Sequence, residues 1–301
     1  MVFRPESRLA IQLLMLVVAT LVSTSFTVGA AIAADLDPVL LTLLRFLLAS
    51  LILAPIMIWR HGLTLRGPFI GRCAVISLCL VIFFWAMFLA LRYTTALNTS
   101  VIFTLVPMFS GVYSLVLVAE RLDRARLLAL VVGLVGALWV IFRGDLDLLL
   151  AMAWNRGDLI FLGGCLFMGL YTPLVKLFHR GESMLEMTFW VLITGSGWLL
   201  LIGAGKLWSL DWAAVSLRTW AGIGYLALFT TVITFFLTQY CVPFIGPTRS
   251  MAYSYLYPAL VLVIDLVLGN GLPPAGAMPG VAIVLAAMVV LQYSRRDKRQ
   301  P

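Results

Sequence analysis

Apolar residues in this chain come in long runs, not in alternation with polar ones. Ten stretches, 9–34, 39–59, 69–91, 98–119, 125–142, 157–178, 185–204, 218–241, 247–269 and 274–293, are mostly apolar and separated by short polar joints. A helix rising 1.5 Å per residue needs about 20 such residues to cross the hydrocarbon of a bilayer. The pattern predicts an all-α membrane protein with ten transmembrane helices, whose connections leave no room for a soluble domain.

The runs also repeat. Pro107 and Pro258 stand 151 residues apart, and at that offset residues 91–120 face residues 242–271, with Val112-Tyr113-Ser114-Leu115-Val116-Leu117 opposite Val263-Ile264-Asp265-Leu266-Val267-Leu268. Matched Val and Leu letters say little. A proline deep in an apolar run says more, because it removes a backbone donor and clashes with the preceding turn, so a kink is expected at both Pro107 and Pro258. The ten spans divide into 9–142 and 157–293, joined by a polar stretch holding Gly144, Asp145, Asp147 and Asn155. Five helices per copy return the chain to the opposite side, so the second copy enters the membrane inverted. Inverted repeats of this kind place a substrate near the midplane and move one part against another. Close helix contacts are expected at Gly133 and Gly136, at Gly276 and Gly280, and at Gly163, Gly164 and Gly169.

Composition agrees with this pattern and charge orients it. With 62% hydrophobic and 11% charged residues, and a mean hydropathy of +1.06, the chain departs far from a soluble domain. The net charge of +8 is informative through its placement. With the N-terminus inside, fifteen of the 21 Lys and Arg fall on the cytoplasmic side, five (Arg92, Arg143, Arg156, Lys206 and Arg218) fall on the other, and Arg45 lies within a span. Both termini are therefore expected in the cytoplasm and the chain in the inner (plasma) membrane. The basic tail 294–301 then determines topology and is not a nucleic-acid site. Arg4 and Arg8, followed by an apolar run and Ala31-Ile32-Ala33, resemble a signal peptide, but the run exceeds the usual ~7–15 residues, and a retained first helix is expected. Cys73, Cys79, Cys165 and Cys241 lie in apolar segments without CxxC spacing and are expected as free, packed thiols.

Several segments resemble a known family. Leu91-Arg92-Tyr93-Thr94-Thr95-Ala96, then Pro107, then Glu120-Arg121-Leu122, then Ala129 and Gly136, resemble the EamA-type repeat of the drug/metabolite transporter superfamily. So does Leu44-Arg45-Phe46-Leu47-Leu48-Ala49-Ser50, and the second copy keeps Pro258, Gly280 and Ala287 at the 151 offset. The resemblance implies two inverted five-helix units that transport small organic metabolites by alternating access, often outward, amino acids or related compounds among them. The copies have diverged: Glu120 falls opposite Gly271, and Arg92 opposite Pro243.

Candidate chemistry is mostly uncharged. Tyr253 and Tyr257 share a helical face just before Pro258, and Thr231, Thr234 and Thr238 line another in the eighth segment together with Gln239. The first half adds Trp85 and Asn98, and Tyr171 and Thr172 precede Pro173. Such hydroxyls and rings suit a moderately polar organic ligand, so Trp85, Asn98, Tyr171, Gln239, Tyr253 and Tyr257 are the candidate substrate contacts. The competing reading is that the hydroxyls bond their own preceding turns and the rings fill the bundle. Charge inside a span costs about 2.5–3.5 kcal/mol, so Arg45 and Asp265 need a partner or a role in gating or coupling. Arg45 is within reach of Asp35 or Asp37. Asp265 is placed to titrate for proton coupling, to meet outer water or to pair with Arg92. Glu120 is expected to pair with Arg121 or Arg124.

The equipment of other classes is missing. His61 and His179 sit at cytoplasmic helix ends, so no paired-His metal site or intramembrane Ser/His pair can be drawn. Gly195-Ser196-Gly197 lacks a histidine at its depth, and Gly205-Lys206-Leu207 lacks the earlier glycine of a phosphate loop. No ring of like charge marks a pore. The expected partners are a small-molecule substrate and the lipid bilayer, with no metal, cofactor or nucleic acid, as monomer or homodimer. A membrane-embedded enzyme and a scaffold or sensor without transport stay open as alternatives.

Overall fold

The computed structural model describes residues 8–62, 66–117, 124–142, 144–147, 155–245, 250, 253–269 and 275–293. Its principal elements are α1 (Arg8–Ile32), α2 (Pro38–His61), α3 (Gly67–Ala90), α4 (Ala96–Phe103), α5 (Val106–Leu117) and α6 (Arg124–Ile141). The second half has α7 (Arg156–Phe178), α8 (Met184–Ser209), α9 (Leu217–Ala227), α10 (Thr234–Ile245), α11 (Tyr257–Val267) and α12 (Met278–Tyr293). No strand occurs among the described residues. Among the described residues seven helical stretches are long and apolar enough to cross a membrane, α4 and α5 counting as one. Three shorter apolar helices, Val131–Val140, Tyr253–Val267 and Ala275–Ala287, accompany them. The protein is a multi-pass, all-helical membrane protein.

Polar joints start the helices by capping them. The side chains of Asp37, Thr95, Asn155 and Ser216 accept from the backbone N–H of Val39, Asn98, Gly157 and Thr219, each satisfying a donor that has no partner inside the helix.

The two repeat prolines do not kink continuous helices. α4 ends at Phe103, residues 104–105 turn, and α5 restarts with Pro107 as its second residue. Likewise a 3₁₀ turn, Tyr253–Leu256, precedes α11, where Pro258 is second. The first turn of a helix is where a missing N–H costs nothing. Each proline therefore marks a break and restart at a matching place in the two halves, which corrects the expectation of a kink. Prolines inside continuous helices are Pro55 and Pro173, with Pro243 near the end of α10.

Packing is reciprocal between halves. α1 packs mostly on α9, α10 and α11 of the other copy, with a smaller contact on α4 of its own, while α7 packs on α3, α4 and α5. α2 lies along α8, and α6 along α12. The α6/α12 contact depends on absent side chains: a Cβ on Gly280 would fall 2.8 Å from the Gly136 carbonyl oxygen and 2.6 Å from Val140 Cγ2. Gly133, Gly164 and Gly169 are equally crowded by Tyr255, Ala86 and Phe109, whereas Gly163 faces open space. Gly280→Ala is expected to force these backbones apart and lower stability by about 1–3 kcal/mol, read as a lower unfolding midpoint in detergent.

At one loop, Arg72 of α3 donates to the Phe178 carbonyl and pairs with Glu182 at 2.5 Å. Desolvation works against ionisation of Glu182, but the N–H groups of Arg180 and Glu182 and the Arg72 guanidinium outweigh it and hold the carboxyl down to about 2. A carboxyl depressed in this way contributes stability above its ordinary range and loses it only as pH falls toward 2, so the tie holds at neutral pH.

Candidate functional site

The exchanged helices α1 and α7 meet the broken α4 and α11 in a cluster of rings. Phe26 of α1 lies 5.9 Å from Phe103 of α4, 6.2 Å from Phe161 of α7 and 6.3 Å from Tyr257 of α11. Phe103 and Tyr257 are 5.5 Å apart, and Phe83 of α3 contacts both Phe103 and Phe161. These spacings are ordinary edge and tilted contacts. Each half thus contributes rings at its helix break.

Arg45 lies beside this cluster. Its guanidinium sits 4.1 Å over the ring of Phe84, whose neighbour in contact is Phe83 at 4.9 Å. Only 2% of Arg45 is exposed. Its Nε donates to Thr231 Oγ1 and its Nη2 to Thr230 Oγ1, both at 3.0 Å. Two consecutive residues face one partner because Leu228–Ile233 forms a π turn, whose extra residue widens the helix. Thr230 and Thr231 both donate to the Leu226 carbonyl, which spends their protons and leaves their lone pairs for the arginine.

The expected pairing of Arg45 with Asp35 or Asp37 is not what the structure shows. Asp37 caps α2 and pairs with Lys206 at 2.8 Å, and Asp35 accepts from Thr219. Among the described residues no carboxylate lies within ion-pairing distance of Arg45. Four buried side-chain polar atoms there have no hydrogen-bond partner: Arg45 Nη1, Trp190 Nε1, Ser250 Oγ and Ser254 Oγ. Only the first carries charge.

The other candidates separate. Tyr253 and Tyr257 are both buried in the core that contains the ring cluster, whereas Tyr255 turns away to Gly133, Val284 and Ala287. Tyr171 packs on a second core, among residues of α2, α3 and α8. Trp85 is 39% exposed and shares the outer stripe of α3 with Val75 and Leu78, so it is Phe84, one position earlier, that reaches the arginine. Gln239 lies on α10 with its side chain outside the described residues, as does Glu120 entirely. Asp265 accepts from Thr27 of α1 at 3.1 Å, and Arg92 donates to the carbonyls of Ala33 and Leu36.

Asn98 faces a residue that sequence reasoning passed over. Its Nδ2 donates to both oxygens of Asp158, at 3.3 and 3.2 Å, and Thr94 donates to the same carboxylate. Asp158 is 1% exposed in the first turn of α7, where a negative charge is favoured. The available signal was the spacing Asn155-x-x-Asp158, a cap followed by an acid three residues on.

Comparison with known proteins decides the family. The EamA-like transporter family model matches residues 9–142 and again 155–292. The chain belongs to the EamA-like transporter family. An uncharacterized transporter, YyaM of Bacillus subtilis (strain 168), is 21% identical over 257 residues, covering 84% of each chain. A probable terminal-alkyne amino-acid exporter of Streptantibioticus cattleyicolor is 25% identical over 203 residues, 67% of this chain and 66% of that one. A crystal structure superposes with a TM-score of 0.67 at 20% identity, over 94% of this chain and 96% of that chain, a likeness of fold. EamA-like membership supplies a context for Arg45, since an ionisable group inside a transporter marks a substrate or ion path by default.

Proposed function

We propose that this EamA-like protein is a secondary active transporter of small organic metabolites that works by alternating access. In this reading ten helices cross the plasma membrane as inverted units 9–142 and 157–293, with both termini and the tail 294–301 in the cytoplasm. The observation that carries it is the reciprocal exchange of α1 and α7 around one buried cluster of rings and a guanidinium. Two halves held by such contacts can rock while the site between them persists. An amino acid or related compound, moved outward, is the favoured cargo, supported by the exporter named among the relatives. Tyr253 and Tyr257 are the favoured substrate contacts, joined by Phe26 and Phe103. Tyr171 and Gln239 are second-rank contacts on α7 and α10, and Asp265 is the coupling carboxylate.

Purified protein in liposomes is expected to show saturable uptake of a metabolite with counterflow. Linear flux would mean a channel, and no flux with a broad metabolite panel would leave a membrane-embedded enzyme or a scaffold. Asp265→Asn is expected to abolish transport driven by a pH gradient while exchange continues. Unchanged gradient-driven transport ends the coupling role.

A further inference from the structure

We infer that Arg45 is an anion receptor, and that the transported solute carries a carboxylate which seats on its unoccupied Nη1. This deepens the transporter reading and rests on it. A guanidinium has five N–H donors on a rigid plane. Here Nε and Nη2 are fixed by Thr231 and Thr230, and the guanidinium carbon sits 4.1 Å from the centre of the Phe84 ring. Both protons of Nη1 are left without an acceptor on a side chain that is 2% exposed.

Burying a full positive charge without a carboxylate is costly, and among the described residues only neutral oxygens reach it: the two threonine hydroxyls and, at 3.5 Å, the Thr230 carbonyl. Neutral acceptors orient the group but leave its charge uncompensated. That combination, a donor oriented by a π turn and lacking its counter-charge, is what a reversible anion site requires. A ligand carboxylate gains a charge-assisted hydrogen bond there and the protein regains neutrality. The rings of Phe84 and Phe83 beside it suit an apolar body attached to that carboxylate. A tie between α2 and the π turn needs no charge, since a neutral amide side chain could donate to the same hydroxyls, so the charge itself calls for a partner.

The test uses small acids, each paired with its isosteric amide, headed by benzoate with benzamide and L-leucine with L-leucinamide. Thermal stabilisation of the purified full chain in detergent is expected from at least one acid, with the amide about 10–100-fold weaker. Arg45→Gln is expected to bring acid and amide to the same strength. Should that variant not fold, Thr231→Val, which frees Nε, is expected to reduce the advantage of the acid several-fold without changing the amide. A panel in which no acid outperforms its amide overturns the inference, as does an advantage that Arg45→Gln or Thr231→Val leaves intact. Counterflow on the same pairs separates the two readings. Acids and amides exchanged equally would remove the anion site and leave the transporter, whereas acid-selective stabilisation without any flux would remove the transporter and leave the site.

Discussion

Arg45→Leu is expected to give a protein at least as stable as the parent that exchanges substrate about 100-fold more slowly at low solute concentration. The two halves of that expectation have different physical sources. Stability is expected to hold or rise because a lone cation inside a span costs about 2.5–3.5 kcal/mol, which an apolar side chain removes and which offsets the space the shorter leucine leaves. The groups left behind lose little. Thr230 and Thr231 already donate to the Leu226 carbonyl, so removing the arginine leaves no hydroxyl proton without an acceptor. Phe84 loses a cation above its face. Exchange falls because a charge-assisted bond, worth about 1.5–3 kcal/mol, is lost where the solute binds. Unfolding midpoints in detergent and initial rates of counterflow measure the two effects separately. A variant that unfolds several degrees earlier while exchanging normally would mean that Arg45 is a structural tie.

Much of this was legible from the runs and the prolines. Helices run through the described parts of the ten apolar segments, seven stretches being long and apolar enough to cross a membrane and three shorter, since a helix satisfies its own backbone in lipid. The repeat at Pro107 and Pro258 was legible as a symmetry but not as a mechanism. Proline disfavours the interior of a helix without forbidding it, as Pro55 and Pro173 show, and at these two sites the chain restarts after residues 104–105 and Tyr253–Leu256. The site was less legible. Tyr253 and Tyr257 share a buried core as their spacing suggested, but Tyr255 could be assigned to the opposite side only once the 3₁₀ turn was known. Trp85 was the aromatic candidate on α3, and the rotation of that helix brings its neighbour Phe84 to the arginine. The pairing of Arg45 with two adjacent threonines needs a π turn, and neither letter announces one. The nearest acids in sequence, Asp35 and Asp37, are already engaged by Thr219 and Lys206, which spacing alone does not reveal.

Asn98 offers the sharpest separation between a binding and a structural role, and Asp158→Ala tests it with the largest expected loss of stability. The carboxylate gathers Asn98 and Thr94, from α4 and the turn that precedes it, onto the first turn of α7. Truncating it leaves an amide and a hydroxyl proton without that acceptor at a buried site and removes a favourable charge from a helix N-terminus. The expected cost is about 3 kcal/mol or more, a fall of several degrees in the unfolding midpoint. Asp158→Asn keeps an acceptor oxygen at the same place and is expected to recover about half. If Asn98 serves this tie, Asn98→Ala lowers the midpoint as well, and combining it with Asp158→Ala adds less than the sum, because both remove one interaction. If Asn98 instead contacts substrate, Asn98→Ala lowers exchange while the midpoint stays put and the double variant is additive. The geometry favours the first outcome: both oxygens of Asp158 lie within 3.3 Å of Nδ2, so the donor side of the amide is committed to the carboxylate and not to a passing solute.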